Sequence, residues 1–335
     1  MLSTVLPTAE ETRVRLRALF GPIAHDLLVA EQIFANELAS RHESVRRLVE
    51  HAVSLRGKQL RPALLFLTAQ ACGGVTPSHH ILAAVVEMIH TATLVHDDIL
   101  DESQIRRHSS TVNSSWGNET AVLLGDYLFT HAFHLAASLE TTLACRWIGK
   151  ATNLVCEGEM MQVQQRGNFD LDEAAYFEII EGKTAVLTAV ACRLGAHFAG
   201  ASEAKVVSME SYGRDLGVAF QIADDVLDLL GDEKTTGKTL GTDLEKQKLT
   251  LPLIHLLETG SPTEVEQARS LIAEPHPGVR DSLRALLEAS GSLDYSWHKA
   301  EEFADSARNR AAALPASPAR EILMTLARQV VRRSF

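Results

Sequence analysis

No proline lies between Pro77 and Pro252, although the chain of 335 residues contains ten. Proline lacks a backbone donor and clashes with the preceding turn, so it is driven out of helix interiors. The same stretch is dense in Ala, Leu, Glu and Met, which favour helix, and its apolar residues recur at spacings of three and four. No segment shows sustained alternation with β-branched enrichment. The expectation is an all-α fold. Helices are predicted over 63–72, 79–102, 121–139, 145–166, 172–199 and 203–230, with Pro62 in a first turn and Gly73-Gly74 ending the first run. The segment 79–102 carries apolar residues nearly all round, so it belongs at the centre of a bundle. A polar break from 231 to 248 precedes the C-terminal helices, which begin near Pro252. No linker long enough to divide the chain is visible, so residues 1–335 are read as a single domain.

Asp and Glu number 43 against 32 Lys and Arg, a formal charge of −11. That balance argues against nucleic-acid binding, which draws on Lys and Arg to neutralise phosphates. The four cysteines, Cys72, Cys145, Cys156 and Cys192, are isolated among Ala, Leu and Val and are expected to be buried free thiols. The first residues lack a basic n-region followed by an apolar h-region, and no run reaches the roughly 18 apolar residues of a membrane span. A cytoplasmic protein with no integral membrane segment is the expectation.

One pattern occurs twice, as Asp97-Asp98-Ile99-Leu100-Asp101 and Asp224-Asp225-Val226-Leu227-Asp228, each at the C-terminal end of an apolar helix. Residues four apart lie about 40° apart around a helix, so Asp97 and Asp101 are neighbours, as are Asp224 and Asp228. Carboxylates so placed repel one another in an apolar setting. A cation relieves the repulsion, and all-oxygen ligation suits Mg²⁺, which shares its shell with substrate phosphates. Asp97, Asp98, Asp101, Asp224, Asp225 and Asp228 are therefore the candidate metal ligands. A solvated acidic helix end would explain one such motif, but not two with identical spacing.

Basic residues accompany them. Lys58 and Arg61 are expected just ahead of a helix start, where free backbone N–H groups add to the pull on an anion. Arg106 and Arg107 follow the first motif, Lys183 and Thr184 are read as lying within a helix, and Lys238 and Lys248 flank the polar break. Together, carboxylates of Mg²⁺ type and several cations describe a diphosphate site.

With these residues in view, the sequence resembles the trans-isoprenyl diphosphate synthases of the polyprenyl synthetase family. The matching segments are GKQLRP (57–62), EMIHTATLVHDDILDESQIRR (87–107), GDYLF (125–129), EGKTA (181–185) and GVAFQIADDVLDLLGD (217–232). The resemblance implies a large antiparallel helix bundle around a central active-site cavity, usually a homodimer. It implies that the six aspartates hold Mg²⁺, more than one ion per site, against an allylic diphosphate. That diphosphate would be bound by Arg106, Lys183, Thr184, Gln221, Lys238 and Lys248. Isopentenyl diphosphate would be bound by Gly57, Lys58, Arg61, His90 and Arg107. The chemistry would be head-to-tail condensation by ionisation, addition and deprotonation, with Asp97, Asp101, Asp224, Arg106 and Lys183 at its centre. Metal and clustered cations stabilise charge on the leaving pyrophosphate, an apolar bundle shields the allyl cation from water, and pyrophosphate takes the proton.

Upstream of Asp97 the chain has Ala92 and Thr93, then Ile89, and short-chain members of the family commonly place an aromatic floor near the first two. Small residues there imply a long product, of the C30–C50 class. Phe129 and Phe133 on the next helix are the alternative floor, which would give a short-chain (C15–C20) product. The chain departs from the family after Arg107, with His108-Ser109-Ser110 where Gly is common, which puts that loop's conformation in question. The basic tail 332–335 either folds over the site or frays. Rival readings are a class I terpene cyclase, which needs no isopentenyl diphosphate, and a non-catalytic subunit of a heteromeric synthase. A di-iron bundle is disfavoured, because Glu87–His90 is the lone ExxH suited to it. A phosphohydrolase dyad at His96-Asp97 lacks partner histidines.

Overall fold

The computed structural model describes residues 20–55, 57, 59–107, 109–230, 242–273 and 278–332. It is all-α, with one exception that the sequence did not announce. A two-residue ribbon pairs β1 (Ile105–Arg106) with β2 (Ser109–Ser110), Ile105 opposite Ser110 and Arg106 opposite Ser109. Of the questioned loop, Ser109 and Ser110 thus form β2, and Arg107 before it adopts φ +52°.

A 3₁₀ turn (Gly21–Ile23) leads into α1 (Ala24–Glu37), α2 (Glu43–Ser54), α3 (Leu60–Cys72) and α4 (Pro77–Leu100). Beyond the ribbon come α5 (Val112–Trp116), α6 (Asn118–Ala137), α7 (Leu143–Gln164) and α8 (Glu173–Ile180). A single π turn, Glu181–Ala185, joins α8 to α9 (Val186–Phe198). Then follow α10 (Glu203–Leu230), α11 (Thr242–Glu245), α12 (Leu251–Thr259), α13 (Pro262–Ala273), α14 (Val279–Ala289), α15 (Ser292–Ala312) and α16 (Pro318–Val330).

Helix α4 forms the spine. Pro77 opens it, and Thr76 caps it in a box closed by His79, whose Nδ1 accepts from the Thr76 amide at 2.8 Å. That fixes the ring's proton on Nε2, which donates to the Gly195 carbonyl of α9 at 3.0 Å. As expected for a central helix, residues 82–89 of α4 are buried without interruption. Helix α4 packs chiefly on α6, α3 on α9, and α10 on α9 and α15. One apolar core joins α1, α3, α4, α6, α7, α9 and α16, and a second joins α8 and the C-terminal half of α10 to α12, α14 and α15. Phe303 and Val331 pack against both.

Two expectations need correction. The segment 172–199 is not one α-helix, because the π turn interrupts it where α7 presses in. The cysteines are all unbridged, but only Cys192 is buried; Cys72 and Cys145 are half-buried, and Cys156 is exposed on α7. Among the described residues no helix is long and apolar enough to cross a membrane.

Candidate active site

The π turn before α9 sits beside the C-terminal half of α10, where Thr184 Oγ1 donates to Gln221 Oε1 at 2.7 Å. Lys183, at the same end, lies in the field of Asp97 and Asp101 at the end of α4. Both acidic motifs therefore occupy one end of the bundle. The segment after the second motif links them. The Asp243 amide donates to Asp228 Oδ2 at 3.4 Å, the Lys248 amide to the Asp243 carbonyl at 2.8 Å, and Lys248 Nζ to Asp101 Oδ1 at 2.9 Å.

The three aspartates of the first motif have different surroundings. Burial lifts the Asp97 carboxyl to about 7; Lys183 opposes the rise while Glu159 and Asp101 add to it. Asp101 is pushed up by burial as well, yet Lys248, Lys183 and Lys246 bring it below its ordinary value. Asp98 is almost wholly buried and turned onto Arg106, whose Nε lies 2.9 and 3.1 Å from its two oxygens. The second motif repeats the pattern. Asp225 receives the Tyr176 hydroxyl at 2.7 Å and the Gln221 amide at 2.6 Å, and burial with Asp243 and Asp224 nearby holds its carboxyl well above the carboxylate range. Asp98 and Asp225, expected among the metal ligands, thus spend both oxygens on protein donors. The spacing contains the reason, since adjacent helical residues diverge by about 100°.

Lys183 and Thr184 lie in the π turn, not in regular helix. Here Gly182 meets Gly158 of α7 so closely that a Cβ on Gly158 would stand 2.6 Å from the Lys183 amide nitrogen. The widened turn accommodates that approach and directs Lys183 Nζ to Glu159 Oε1 at 2.7 Å and Gln162 Oε1 at 3.1 Å. Burial pulls the Lys183 ammonium down, but Asp97 and Glu159 outweigh it and hold it above its ordinary value.

Arg61 lies inside the first turn of α3, since the helix begins at Leu60 behind Gln59 in the left-handed region. Its Nη1 donates to His90 Nε2 at 3.0 Å. The ring must be neutral there, and burial, reinforced by Arg61, Arg106 and Arg107, holds its pKa well below the ordinary imidazole value. Burial lowers Arg61 to about 10, against the pull of Glu87 and Asp97, so it remains charged at neutral pH. Arg107 donates to the Leu55 carbonyl at 3.0 Å and lays its guanidinium on Gly57, where any Cβ would collide with it. Gly57, Arg61, His90 and Arg107 thus form one basic wall. Lys58, Lys238, His108 and tail residues 333–335 lie outside the described residues.

Ala92 and Ile89 are fully buried, while Thr93 is half-buried and its hydroxyl bonds the His90 carbonyl at 2.9 Å. Thr93 shares the face of Asp97, four residues on, whereas Ala92 lies about 140° round the helix from it. The three are therefore not one wall.

Glu159, Gln162, Arg166, Tyr176, Asp243 and Lys246 were not anticipated. Of these, Asp243 and Lys246 stood in the polar break from 231 to 248.

The donor set can be tested against Mg²⁺. Among the described residues no three His, Cys, Asp or Glu side chains converge into a closed metal cage. Mg²⁺ needs none, because it keeps several waters and takes one or two carboxylates together with phosphate oxygens. Asp97 and Asp101, one turn apart and with Asp97 short of compensating positive charge, fit such an open oxygen site.

The chain matches the family model for polyprenyl synthetase over residues 42–289. It is 37% identical over 313 residues to the octaprenyl diphosphate synthase of Escherichia coli (strain K12), spanning 92% of this chain and 96% of that protein. Among solved structures, a decaprenyl diphosphate synthase from Rhodobacter capsulatus superimposes with a TM-score of 0.89 at 34% identity, over 96% of this chain and 98% of that one. A polyprenyl synthase from Caulobacter crescentus CB15, complexed with calcium and isoprenyl diphosphate, gives 0.90 at 36% identity, over 95% of this chain and 98% of that one.

Proposed function

This chain belongs to the polyprenyl synthetase family, and from that premise we propose that it condenses isopentenyl diphosphate head-to-tail with an allylic diphosphate, releasing pyrophosphate. It is a prenyltransferase of isoprenoid biosynthesis, of the long-chain trans-polyprenyl class. The observation that carries the reading is the meeting of the two acidic motifs at one end of the bundle, bridged through Asp243 and Lys248, with cations on both sides.

Lys183, Thr184, Gln221, Lys238 and Lys248 bind the allylic diphosphate, and Arg106, already paired with Asp98, stands with them. Asp97 and Asp101, with Asp224 and Asp228, would hold Mg²⁺, which would supply positive charge against the leaving diphosphate. Lys183 and Lys248 meet the negative charge that develops when the C–O bond breaks. Gly57, Lys58, Arg61, His90 and Arg107 hold isopentenyl diphosphate so that its alkene faces the allyl cation. The apolar walls of α4, α6, α7 and α9 exclude water from that cation, and the departing pyrophosphate accepts the proton lost from the adduct.

The long product, of the C30–C50 class, is supported by the small Ala92 and by relatives named for octaprenyl and nonaprenyl products. The chain works as one unit over residues 1–335, which the packing of Phe303 and Val331 on both cores supports. Exposed Val122 and Leu123 on α6, and Met160 and Val163 on α7, support a homodimer. A cytoplasmic location agrees with the four unbridged cysteines. The test is condensation itself: radiolabelled isopentenyl diphosphate must enter a longer prenyl diphosphate only when an allylic primer and Mg²⁺ are both present.

A further inference from the structure

Asp101 Oδ1 draws more positive charge than one carboxylate needs. Lys248 Nζ lies 2.9 Å from it, Lys246 Nζ 3.3 Å and Arg166 Nη2 4.0 Å. Lys246 and Arg166 also donate to the Leu100 carbonyl, at 3.2 and 3.5 Å. That carbonyl belongs to the last turn of α4, at the negative end of the helix dipole. This is not a loose surface contact, since the side chains of Lys246 and Lys248 are only 18% and 8% exposed. The backbone between the two lysines is held as well. Gln247 adopts φ +51°, its carbonyl accepts from the Gly167 amide at 2.9 Å, and its amide donates to the Leu244 carbonyl at 2.9 Å. Both ammonium groups are therefore presented to the same oxygen.

We propose that Lys246 is a positioning residue that occupies the Asp101 carboxylate until substrate arrives, so that divalent cation and diphosphate can engage Asp101 only together. The inference rests on the reading of Asp101 as a metal ligand and adds a residue to it. A divalent cation approaching Asp101 Oδ1 meets two ammonium groups at hydrogen-bond range, and repulsion between like charges at this depth weakens its binding. Diphosphate removes the obstacle, because its oxygens offer Lys248 a new partner. Lys246, which already bonds the Leu100 carbonyl, keeps that second acceptor when it yields the carboxylate. The exchange would keep a bare cation out of the site and hold the segment 243–248 against α4 before catalysis.

The test measures Mn²⁺ binding to substrate-free protein by electron paramagnetic resonance, with and without inorganic pyrophosphate. Wild type should bind Mn²⁺ weakly alone and tightly with pyrophosphate. Lys246→Met should bind Mn²⁺ alone roughly tenfold more tightly, and Asp101→Asn in the same chain should abolish that gain. Lys246→Gln, which keeps a donor for the Leu100 carbonyl but loses the charge, should show the same gain and covers the case in which the methionine variant does not fold. Unchanged Mn²⁺ affinity in a folded Lys246 variant would overturn the proposal, as would a gain that survives Asp101→Asn. If wild type fails to bind Mn²⁺ even with pyrophosphate, the metal reading of Asp101 falls and this proposal falls with it.

Discussion

Arg106 grips Asp98 with two nitrogens, Nε at 2.9 and 3.1 Å from the two carboxylate oxygens and Nη2 at 2.8 Å from Oδ1. The aspartate between the two outer members of the first motif is thereby a structural anchor for the arginine that follows it. Breaking a buried pair leaves an uncompensated charge, so Asp98→Asn should cost about 1–3 kcal/mol of stability, discounted for the part-exposed Arg106. Asp97→Asn should not lower the melting temperature of the metal-free protein at pH 8, because its carboxylate is held ionised there against burial, Glu159 and Asp101. Turnover should fall by orders of magnitude in Asp97→Asn, and equally in Asp224→Ala. Parallel thermal melts and rates check the contrast; equal melting losses for Asp97 and Asp98 would contradict it.

The contact between α7 and the π turn sets a second expectation. Gly158→Ala would place a methyl 2.6 Å from the Lys183 nitrogen and 3.1 Å from the Ile179 carbonyl oxygen. The backbones must separate, at a cost of about 1–3 kcal/mol. Displacing Lys183 and Thr184 by an ångström should lower kcat/KM for the allylic diphosphate by roughly 10²-fold. Steady-state kinetics at saturating isopentenyl diphosphate measure this, and unaltered kinetics would show that the π turn does not position Lys183.

His90 gives the pH dependence. Its folded pKa lies well below 6.5 because burial and three arginines oppose a charged ring. A group whose protonation is suppressed by folding makes the unfolded state bind more protons, so its contribution to stability falls as pH drops through 6.5. Nitrogen-15 NMR of labelled histidine should therefore find the His90 ring neutral, with its proton on Nδ1, from pH 8 to pH 6. A midpoint near 6.5 would show that Arg61 does not hold it.

Product length should separate Ala92 from Thr93. Ala92 is fully buried and Thr93 half-buried on the face below Asp97. Ala92→Phe should shorten the product, whereas Thr93→Phe should chiefly raise the KM for substrate, because it lies one turn below Asp97. Phe133 reaches Gly149 of α7, where a Cβ would meet its ring at 3.9 Å, so Phe133→Ala should lengthen the product if α6 supplies the floor. Chromatography of dephosphorylated products reads all three.

Much of the fold was legible because it depends on local chemistry. The gap between Pro77 and Pro252, the three-and-four spacing and the Gly73-Gly74 stop each act within a few residues. The aspartate pairs were legible for the same reason, since a separation of four fixes which carboxylates share a face. The divergence of Asp98 and Asp225 was present in that spacing, although their partners Arg106 and Tyr176 were not. The π turn was hidden because its cause is the Gly158–Gly182 approach, a contact between residues 24 positions apart in the chain. Lys246 looked like an ordinary charge in a polar stretch, and only the placement of α11 and the strained Gln247 brings it to Asp101.

The most direct test is incubation with farnesyl diphosphate and Mg²⁺, with and without isopentenyl diphosphate, followed by chain-length analysis. The account predicts no consumption of the allylic substrate alone, and a ladder ending in the C30–C50 class when both are supplied. Turnover of farnesyl diphosphate without isopentenyl diphosphate would contradict it.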